Sequence, residues 1–361
     1  LTANRPGGLY IHVPFCVRRC KYCAIVSCTE ESRQKAYVGA LVKEIAARSE
    51  RGTFDTVYVG GGTPSTLYRG GLTEILSAVR TYFALRDPEI TVECNPDSAT
   101  PGFFAECKDN GVNRISIGLQ TADDEQLCAV GRPHDYRQFL TAYERARAIT
   151  DNVSVDVMLG LPGGTAETLD GTLDRVLHLE PAHVSLYALT VEEDTPLAKE
   201  GFTVDEDLQA DLYARSYERL TAAGFRRYEV SNFCRPGRES RHNRKYWRMN
   251  RYLGFGAAAH SFTGDARLAN TDNIAAYIVG AQPTVTPVSD ADFREEFIML
   301  ALRTAEGIDR RAYRKRFGVD LCEEKSAEIR TLAPFLHVTP TRLRLQPDAF
   351  YVMNSIIAKL I

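Results

Sequence analysis

From residue 9 to about residue 189 the sequence alternates short runs typical of β-strands with longer amphipathic stretches typical of helices. This alternation predicts parallel βαβ units, in which each helix covers one face of a parallel sheet. Six such units suit either an open sheet or a partial barrel, and in both folds chemistry gathers at the carboxyl ends of the strands. The predicted strands are Leu9–Val13, Thr56–Val59, Ile90–Cys94, Arg114–Gly118, Val153–Leu159 and Val184–Leu189. The predicted helices between them are Ser32–Glu50, Leu72–Phe83, Pro101–Asn110, Tyr136–Ile149 and Ala166–Leu179.

The alternation ends after a predicted helix near Glu206–Ala223, and a further strand is predicted at Arg226–Val230. A linker with several prolines then precedes a charged helical segment that begins at Phe293. We therefore expect a barrel core over residues 1–265 and a small helical or winged-helix unit over residues 285–361, because a domain of about 50 residues can fold.

Cys16, Cys20 and Cys23 lie within eight residues, directly after the first predicted strand. Three thiolates at this spacing can hold three irons of a cubane cluster and leave the fourth iron open, whereas an Fe–S cluster normally takes four cysteines. A zinc site, which would need a fourth Cys or His nearby, and chance clustering are the alternatives. Cys28 follows the loop closely and is a candidate spare ligand.

The other cysteines are scattered through predicted strands and helices and behave as small buried hydrophobes. The nine cysteines do not form the pattern of a secreted disulfide framework, so a reducing cytosol fits best. The net charge of -3 gives no reason to expect nucleic acid or an anionic membrane as partner. No apolar run of about 18 residues or signal-peptide core appears, which predicts a cytoplasmic protein without a membrane span.

Polar residues and glycines stand near the other predicted strand ends. Gly60-Gly61-Gly62-Thr63-Pro64 follows the second strand, where free NH groups can approach a ligand, although a tight structural turn explains the glycines equally well. Glu93, Gln120, Arg132 and Asp156 together could hold a polar ligand: carboxylates suit an amine or ribose hydroxyls, and arginine suits a carboxylate. Taken singly, each is more often a surface or capping residue.

The cluster loop, Tyr10-Ile11-His12-Val13-Pro14-Phe15-Cys16 with Cys20-Lys21-Tyr22-Cys23, resembles that of radical S-adenosylmethionine (SAM) proteins. Further motifs, in the same order along the chain, resemble more narrowly the HemN/HemW family, the coproporphyrinogen dehydrogenase-like group. These motifs are Gly60–Pro64, Glu93–Pro96, Ile117–Gln120, Asp156–Pro162, Ser185–Thr190 and His242–Trp247. The likeness extends over nearly the whole chain.

This resemblance implies a partial (β/α)6 TIM-type barrel with a small C-terminal HemN-type domain. It implies a [4Fe–4S] cluster on Cys16, Cys20 and Cys23, whose free iron is chelated by the amino and carboxylate groups of SAM. Reduction of the cluster would cleave SAM to methionine and a 5′-deoxyadenosyl radical. The SAM contacts implied for this chain are Tyr10, Tyr22, Gly61, Gly62, Thr63, Glu93, Gln120, Arg132, Asp156 and Ala188.

The family contains haem carriers and an oxygen-independent coproporphyrinogen III oxidase. The oxidase has a fourth cysteine two residues past the third cluster cysteine, where this chain has Ile25. It also has a long N-terminal extension, whereas fifteen residues precede Cys16 here, a difference that truncation would also explain. The resemblance therefore favours a carrier that binds haem and passes it to a haemoprotein, with oxidation of a porphyrinogen as the alternative.

The motif His242-Asn243-Arg244-Lys245-Tyr246-Trp247 resembles a signature of the haem carriers. His242 is the candidate haem ligand, since imidazole is a common axial ligand. Tyr246 and Trp247 could stack on a porphyrin, and nearby basic residues could pair with its propionates. These basic residues are Arg238, Arg241, Arg244, Lys245, Arg248 and Arg251. A basic surface loop with a core tryptophan, or a nucleic-acid surface, are the alternatives, and we expect no nucleic acid. The electron donor and the haem acceptor stay unidentified.

Overall fold

Parallel strands in sequence order form the centre of the fold in the computed structural model, which describes residues 5–361. Each strand pairs in parallel with the next. Leu9, Ile11 and Val13 share one face of the first strand and are fully buried, and His12 on the other face is also buried, as expected for a parallel sheet covered on both faces. The strands are β1 (Gly7–Val13), β2 (Thr53–Gly61), β3 (Ala84–Cys94), β4 (Arg114–Gln120), β5 (Val153–Leu159) and β6 (His183–Ala188).

Helices connect these strands, and two of the longer ones begin at capping boxes, formed by Asp135 with Gln138 and by Thr165 with Thr168. All predicted helices are confirmed to within a few residues at their ends. The short helix that begins at Asp124 was not predicted. The helices are α1 (Gln34–Ala47), α2 (Gly71–Tyr82), α3 (Pro101–Asp109), α4 (Asp124–Ala129), α5 (Tyr136–Arg147), α6 (Ala166–His178), α7 (Pro196–Lys199) and α8 (Glu206–Ala222).

The sheet continues beyond both ends of the parallel block, to twelve strands in all. β6 pairs with β8 and β1 pairs with β9, so the six parallel strands form an open, partial barrel. The elements that follow α8 are β7 (Arg226–Arg227), β8 (Asn232–Cys234), α9 (Arg241–Trp247), β9 (Tyr252–Phe255), β10 (His260–Phe262), β11 (Ala266–Ala269), α10 (Ile274–Ile278) and β12 (Thr284–Pro287).

Two details of this region differ from the sequence-based expectation. The strand predicted at Arg226–Val230 is instead the antiparallel pair β7 and β8, because the chain reverses where the Glu229 carboxylate accepts a hydrogen bond from the Ser231 amide (2.9 Å). The sheet also extends past residue 265, where we expected the first unit to end, because β11 pairs with β10 and β12 pairs with β11.

The C-terminal unit combines helices with a three-stranded antiparallel sheet in the order β13-β15-β14, consistent with the winged-helix expectation. Its elements are α11 (Asp290–Leu302), β13 (Ile308–Asp309), α12 (Arg310–Phe317), α13 (Leu321–Glu324), α14 (Ser326–Thr331), β14 (Leu336–Val338), β15 (Arg342–Leu345) and α15 (Met353–Ile357). Within the described residues, no helix has the length and apolar character needed to cross a membrane.

Candidate functional site

A cavity of about 320 Å³ opens at the carboxyl ends of the parallel strands, where the fold class places functional residues. Its wall includes side chains from the loop after β1 and from the ends of β2 to β6. The structure therefore brings together most of the residues that the sequence singled out. Those that line the cavity are Cys16, Cys20, Tyr22, Cys23, Gly61, Gly62, Thr63, Glu93, Gln120, Arg132 and Asp156.

The loop that carries the three cysteines is closed by the backbone of Cys28. The amide of Cys28 donates to the carbonyl of Pro14 (2.7 Å), and the amide of Cys16 donates to the carbonyl of Cys28 (3.0 Å). Cys28 packs against the hydrophobic core and is not among the residues that line the cavity. Its position fits a role in shaping the loop.

Burial and nearby hydrogen-bonding groups have opposite effects on the ionisation of the cavity thiols. Burial raises the pKa of the Cys16 and Cys23 thiols above the ordinary range. The Sγ of Cys16 lies 3.4 Å from the hydroxyl of Thr63, and an Nη of Arg132 lies 3.6 Å from the Sγ of Cys20. Two of the three sulfurs thus already have a hydrogen-bonding group beside them, and such groups stabilise a thiolate.

The three thiols share one cavity without converging on one point. Among residues 5–361, no group of three His, Cys, Asp or Glu side chains could hold a metal ion. The zinc alternative therefore finds no support in these side chains. A cubane cluster places a different iron opposite each thiolate, and three thiols spread around an open cavity are a suitable donor set for it.

Glu93 ends β3 and turns its carboxylate into the cavity. It accepts hydrogen bonds from the hydroxyl of Tyr58 (2.5 Å) and from the amide of Gly61 (3.0 Å). Burial, reinforced by the nearby charge of Asp156, raises the pKa of Glu93 to about 6. A carboxylate with this pKa is largely ionised at neutral pH and can pair with a ligand ammonium group.

The glycines at the end of β2 are required by packing as well as by the cavity. A Cβ on Gly60 would meet the carboxylate of Glu93 at 2.6 Å, and one on Gly61 would clash with the ring of His12. Gly61 also has a φ of +106°, which side chains other than glycine rarely adopt. The structural turn and the ligand approach, which the sequence left open, are therefore compatible readings of the same backbone.

Gln120 stands at the end of β4 in a left-handed conformation, with a φ of +74°, at an irregularity in the pairing of β4 with β5. Its Oε1 is buried and has no hydrogen-bond partner. A strained residue with an unsatisfied polar atom in a cavity is a candidate ligand contact. Asp156 lies beside it on β5, accepts a hydrogen bond from Ser116 (3.1 Å), and has its pKa raised by burial.

Three of the expected residues do not line this cavity. Tyr10 lies in β1, with its hydroxyl 3.0 Å from Nδ1 of His12. Ala188 is exposed at the end of β6, next to Tyr187, which does line the cavity. His242 lies in the first turn of α9, with its ring 5.2 Å from that of Tyr58.

His242 is 1% exposed, and both of its ring nitrogens already have partners. Nδ1 lies 2.8 Å from the hydroxyl of Thr56, and Nε2 lies 2.7 Å from the hydroxyl of Tyr246. Burial, with the positive charges of Lys245 and Arg114, lowers the pKa of His242 to about 3. In this conformation neither nitrogen is open to a haem iron.

The basic residues around His242 are also paired, contrary to the expectation that they are free for propionates. Arg244 and Arg248 both contact Glu306 (2.9 Å each). The remaining four pair with acidic residues of the barrel: Arg238 with Asp151, Arg241 and Lys245 with Asp55, and Arg251 with Glu50. The sequence shows charge but not which acidic side chains the fold brings beside it.

Comparison with known proteins gives the family. The model of the radical SAM superfamily matches residues 10–176, and that of the HemN C-terminal domain matches residues 288–352. A Bacillus subtilis protein named heme chaperone HemW is 33% identical over 330 residues, covering 86% of this chain and 87% of the relative. The chain belongs to the HemN/HemW family of radical SAM proteins.

Other members of the family support the same placement. A Mycobacterium tuberculosis H37Rv protein of the same name is 35% identical, covering 84% of this chain and 83% of the relative. A bovine mitochondrial protein named for its radical SAM domain is 35% identical, covering 84% of this chain and 75% of its own. The structure of HemN, the Escherichia coli coproporphyrinogen III oxidase, superposes on 99% of this chain with a TM-score of 0.87, and the match covers 90% of the HemN chain. At 21% identity this last match shows the shared fold alone.

Membership of the radical SAM superfamily brings a [4Fe–4S] cluster and SAM as cofactors. The cavity fits both groups: three thiols lie in it, and Oε1 of Gln120 is buried there without a partner. Asn95 lies within the motif Glu93–Pro96 but was assigned no contact from the sequence, whereas its amide lies between Thr63 and Arg132 in the cavity wall. The signal was its place after Glu93 at the end of β3.

Proposed function

We propose that this protein is a haem chaperone that binds haem and delivers it to a haemoprotein. The observation that carries this proposal is the similarity to relatives named heme chaperone HemW. The Synechocystis protein is 38% identical, and the alignment with the Lactococcus lactis protein, at 30% identity, covers 98% of that protein. The likeness to the coproporphyrinogen III oxidase is lower and concerns the fold. Ile25, where the oxidase is expected to have its fourth cysteine, lines the cavity and is 49% exposed.

In this proposal Cys16, Cys20 and Cys23 hold the cluster, which in this superfamily supplies the electron for SAM cleavage. Glu93 and the backbone of residues 61–63 hold the methionyl part of SAM, and Arg132 attracts its carboxylate. Gln120 and Asp156 contact the ribose, with Tyr22 in the same wall. Tyr10 supports the site from behind the wall, and Ala188 borders it on the adenine side.

We assign haem to a second cavity, of about 340 Å³, between α9 and the C-terminal unit. Trp247 lines this cavity and offers an aromatic face. Arg244 and Arg248 also line it, and both pair with the carboxylate of Glu306. The lining as a whole has four arginines against three carboxylates, which leaves a net positive charge for an anionic ligand: Arg5, Arg244, Arg248 and Arg342 against Glu239, Glu306 and Asp309. Arginine suits propionates because it can bind them in a bidentate manner. Separate cavities would let the protein hold SAM and haem together.

His242 remains the candidate iron ligand only if its ring leaves Thr56 and Tyr246. Breaking two buried hydrogen bonds costs about 1–3 kcal/mol for each group left unsatisfied. A histidine held in this way suits a structural role, in which it joins β2 to α9 and so positions Trp247 at the second cavity. We place the protein in the cytoplasm, where reducing conditions keep thiols free; its nine cysteines form no disulfide in the structure.

Haem titration tests the proposal. Trp247→Leu and Arg244→Gln should each weaken haem binding about tenfold, since stacking or a charge-assisted contact is worth about 1.4 kcal/mol. The matched control is Arg238→Gln, which breaks a pair with Asp151 (2.6 Å) away from the cavity and should bind like the wild type. Unchanged affinity in both cavity variants would remove this site, and loss of the bound-haem spectrum in His242→Gln alone would make His242 the ligand.

The alternative function has its own test. Anaerobically reconstituted protein is incubated with SAM, dithionite and coproporphyrinogen III, and the products are separated by chromatography. The proposal expects the substrate to be recovered unchanged and haem to pass from the loaded protein to an apo-haemoprotein. Formation of protoporphyrinogen IX, without haem transfer, would establish the oxidase instead.

A further inference from the structure

The side-chain amide of Asn95 connects the surroundings of two cluster cysteines. Its Nδ2 donates to Oγ1 of Thr63 (3.0 Å), and that hydroxyl lies 3.4 Å from Sγ of Cys16. Its Oδ1 accepts from an Nη of Arg132 (2.8 Å), and the other Nη of Arg132 lies 3.6 Å from Sγ of Cys20. One amide thus stands between two sulfurs that are supplied by different parts of the loop.

The direction of each hydrogen bond in this chain follows from the chemistry of its members. A guanidinium group only donates, so the oxygen of the Asn95 amide must face Arg132 and its nitrogen must face Thr63. An amide nitrogen also only donates, so the hydroxyl of Thr63 accepts from Asn95. The hydrogen of that hydroxyl is then free to point at the sulfur of Cys16, the other partner found for this hydroxyl among the described residues.

Neighbouring groups in the cavity wall hold these hydrogen-bonded side chains in place. Thr63 is 2% exposed and Arg132 is 7% exposed. The same Nη of Arg132 that binds Asn95 also donates to the carbonyl of Gly118 (2.8 Å), and the backbone amide of Asn95 donates to the hydroxyl of Ser65 (3.3 Å). The donors therefore keep their directions with little freedom to turn.

We propose that Asn95 is a positioning residue that aims one hydrogen-bond donor at the sulfur of Cys16 and one at the sulfur of Cys20, and thereby raises the reduction potential of the cluster. Donors to cluster sulfurs favour the reduced cluster, because reduction adds negative charge that the donors stabilise. This inference rests on the three-cysteine cluster assigned above and is independent of haem binding.

The test is the midpoint potential of the reconstituted cluster, measured by redox titration with detection by EPR. Asn95→Leu keeps a similar size and removes both amide contacts, and Thr63→Val removes the hydroxyl alone. The matched control Ser98→Ala alters the backbone surroundings of Asn95 alone. The Ser98 hydroxyl lies 2.7 Å from that of Ser65 and 3.4 Å from the backbone carbonyl of Asn95, and its removal leaves both contacts of the Asn95 side-chain amide in place. Iron and sulfide content, measured first in every variant, separates loss of the cluster from a change in its potential.

We expect Asn95→Leu and Thr63→Val each to shift the potential to more negative values, and Ser98→Ala to leave it unchanged. The double variant should shift by less than the sum of the two, because Asn95 acts partly through Thr63. If Asn95→Leu fails to load iron, Asn95→Asp replaces it: its second oxygen would draw the Thr63 hydrogen away from Cys16, again with a negative shift. The inference would be overturned by an unchanged reduction potential in the Asn95 variant that binds the cluster, or by a double variant whose shift equals the sum of the two single shifts. Absence of iron from the reconstituted wild type would instead overturn the assignment of the cluster to this protein.

Discussion

Acidification should destabilise this fold through His242. The side chain is buried and neutral, and its pKa is lowered to about 3 by burial and by the charges of Lys245 and Arg114. In the unfolded chain a histidine has a pKa of about 6.5. Because the unfolded state binds the proton more tightly, the stability from His242 is complete above pH 6.5 and is lost as the pH falls toward 3. Linkage gives a loss of about 2 kcal/mol at pH 5 from this residue alone.

The assay compares urea unfolding at pH 8 and pH 5 for the wild type and His242→Gln. Glutamine keeps a donor and an acceptor for Thr56 and Tyr246 but does not titrate. Other buried histidines contribute to the wild-type loss, so the difference between the two proteins isolates His242. The variant should lose about 2 kcal/mol less than the wild type between the two pH values. The control His178→Gln replaces an exposed histidine on α6 and should behave like the wild type. Equal pH dependence in His242→Gln and wild type would show that His242 does not contribute to the loss of stability.

Further outcomes follow from other residues of the site. Gly61→Ala should lower the free energy of unfolding, measured in urea, by about 3 kcal/mol, since it adds overpacking to backbone strain. The control Gly163→Ala, with a φ of +71° and open space for a Cβ, should lower it by about 1 kcal/mol. Equal losses in the two variants would contradict the packing around Gly61. SAM affinity, measured by equilibrium dialysis of reconstituted protein, should fall about tenfold from pH 7 to pH 5 as Glu93, with a pKa of about 6, takes up a proton. Glu93→Gln should bind SAM weakly at both pH values, and a retained pH dependence would assign it to another group. Cys28→Ala should keep the full iron content, because Cys28 does not line the cavity; iron loss would make it a ligand.

The parallel strands were predictable because their sequences carry a strong local signal. In Val153–Leu159, for example, β-branched and other apolar residues alternate with Ser154 and Asp156 before Gly160 ends the run, and the structure reproduces that range. Strand β3 begins at Ala84, six residues before the predicted Ile90. The prediction missed this first part because it contains Arg86, Asp87 and Pro88 and is mostly exposed. Pairing with β2, through Thr53 with Ala84 and Phe54 with Leu85, makes it a strand, and such pairing is invisible in the local sequence.

The convergence of the cavity residues followed from topology, since the carboxyl ends of parallel strands meet at one edge. The surroundings of His242 followed only in part: Tyr246 is four residues further along α9, which is a local spacing, but Thr56 comes from β2. The ion pairs of Arg244 and Arg248 with Glu306 depend on how the C-terminal unit packs on α9. Contacts between distant segments decide which polar groups are free, and no local pattern encodes them.

The most direct test of the account is low-temperature EPR of the anaerobically reconstituted and reduced protein, with and without SAM. We expect about four irons per chain and a reduced-cluster signal that changes when SAM is added, because SAM binds the iron that Cys16, Cys20 and Cys23 leave open. A signal that is indifferent to SAM, or an iron content that survives replacement of all three cysteines by alanine, would contradict it.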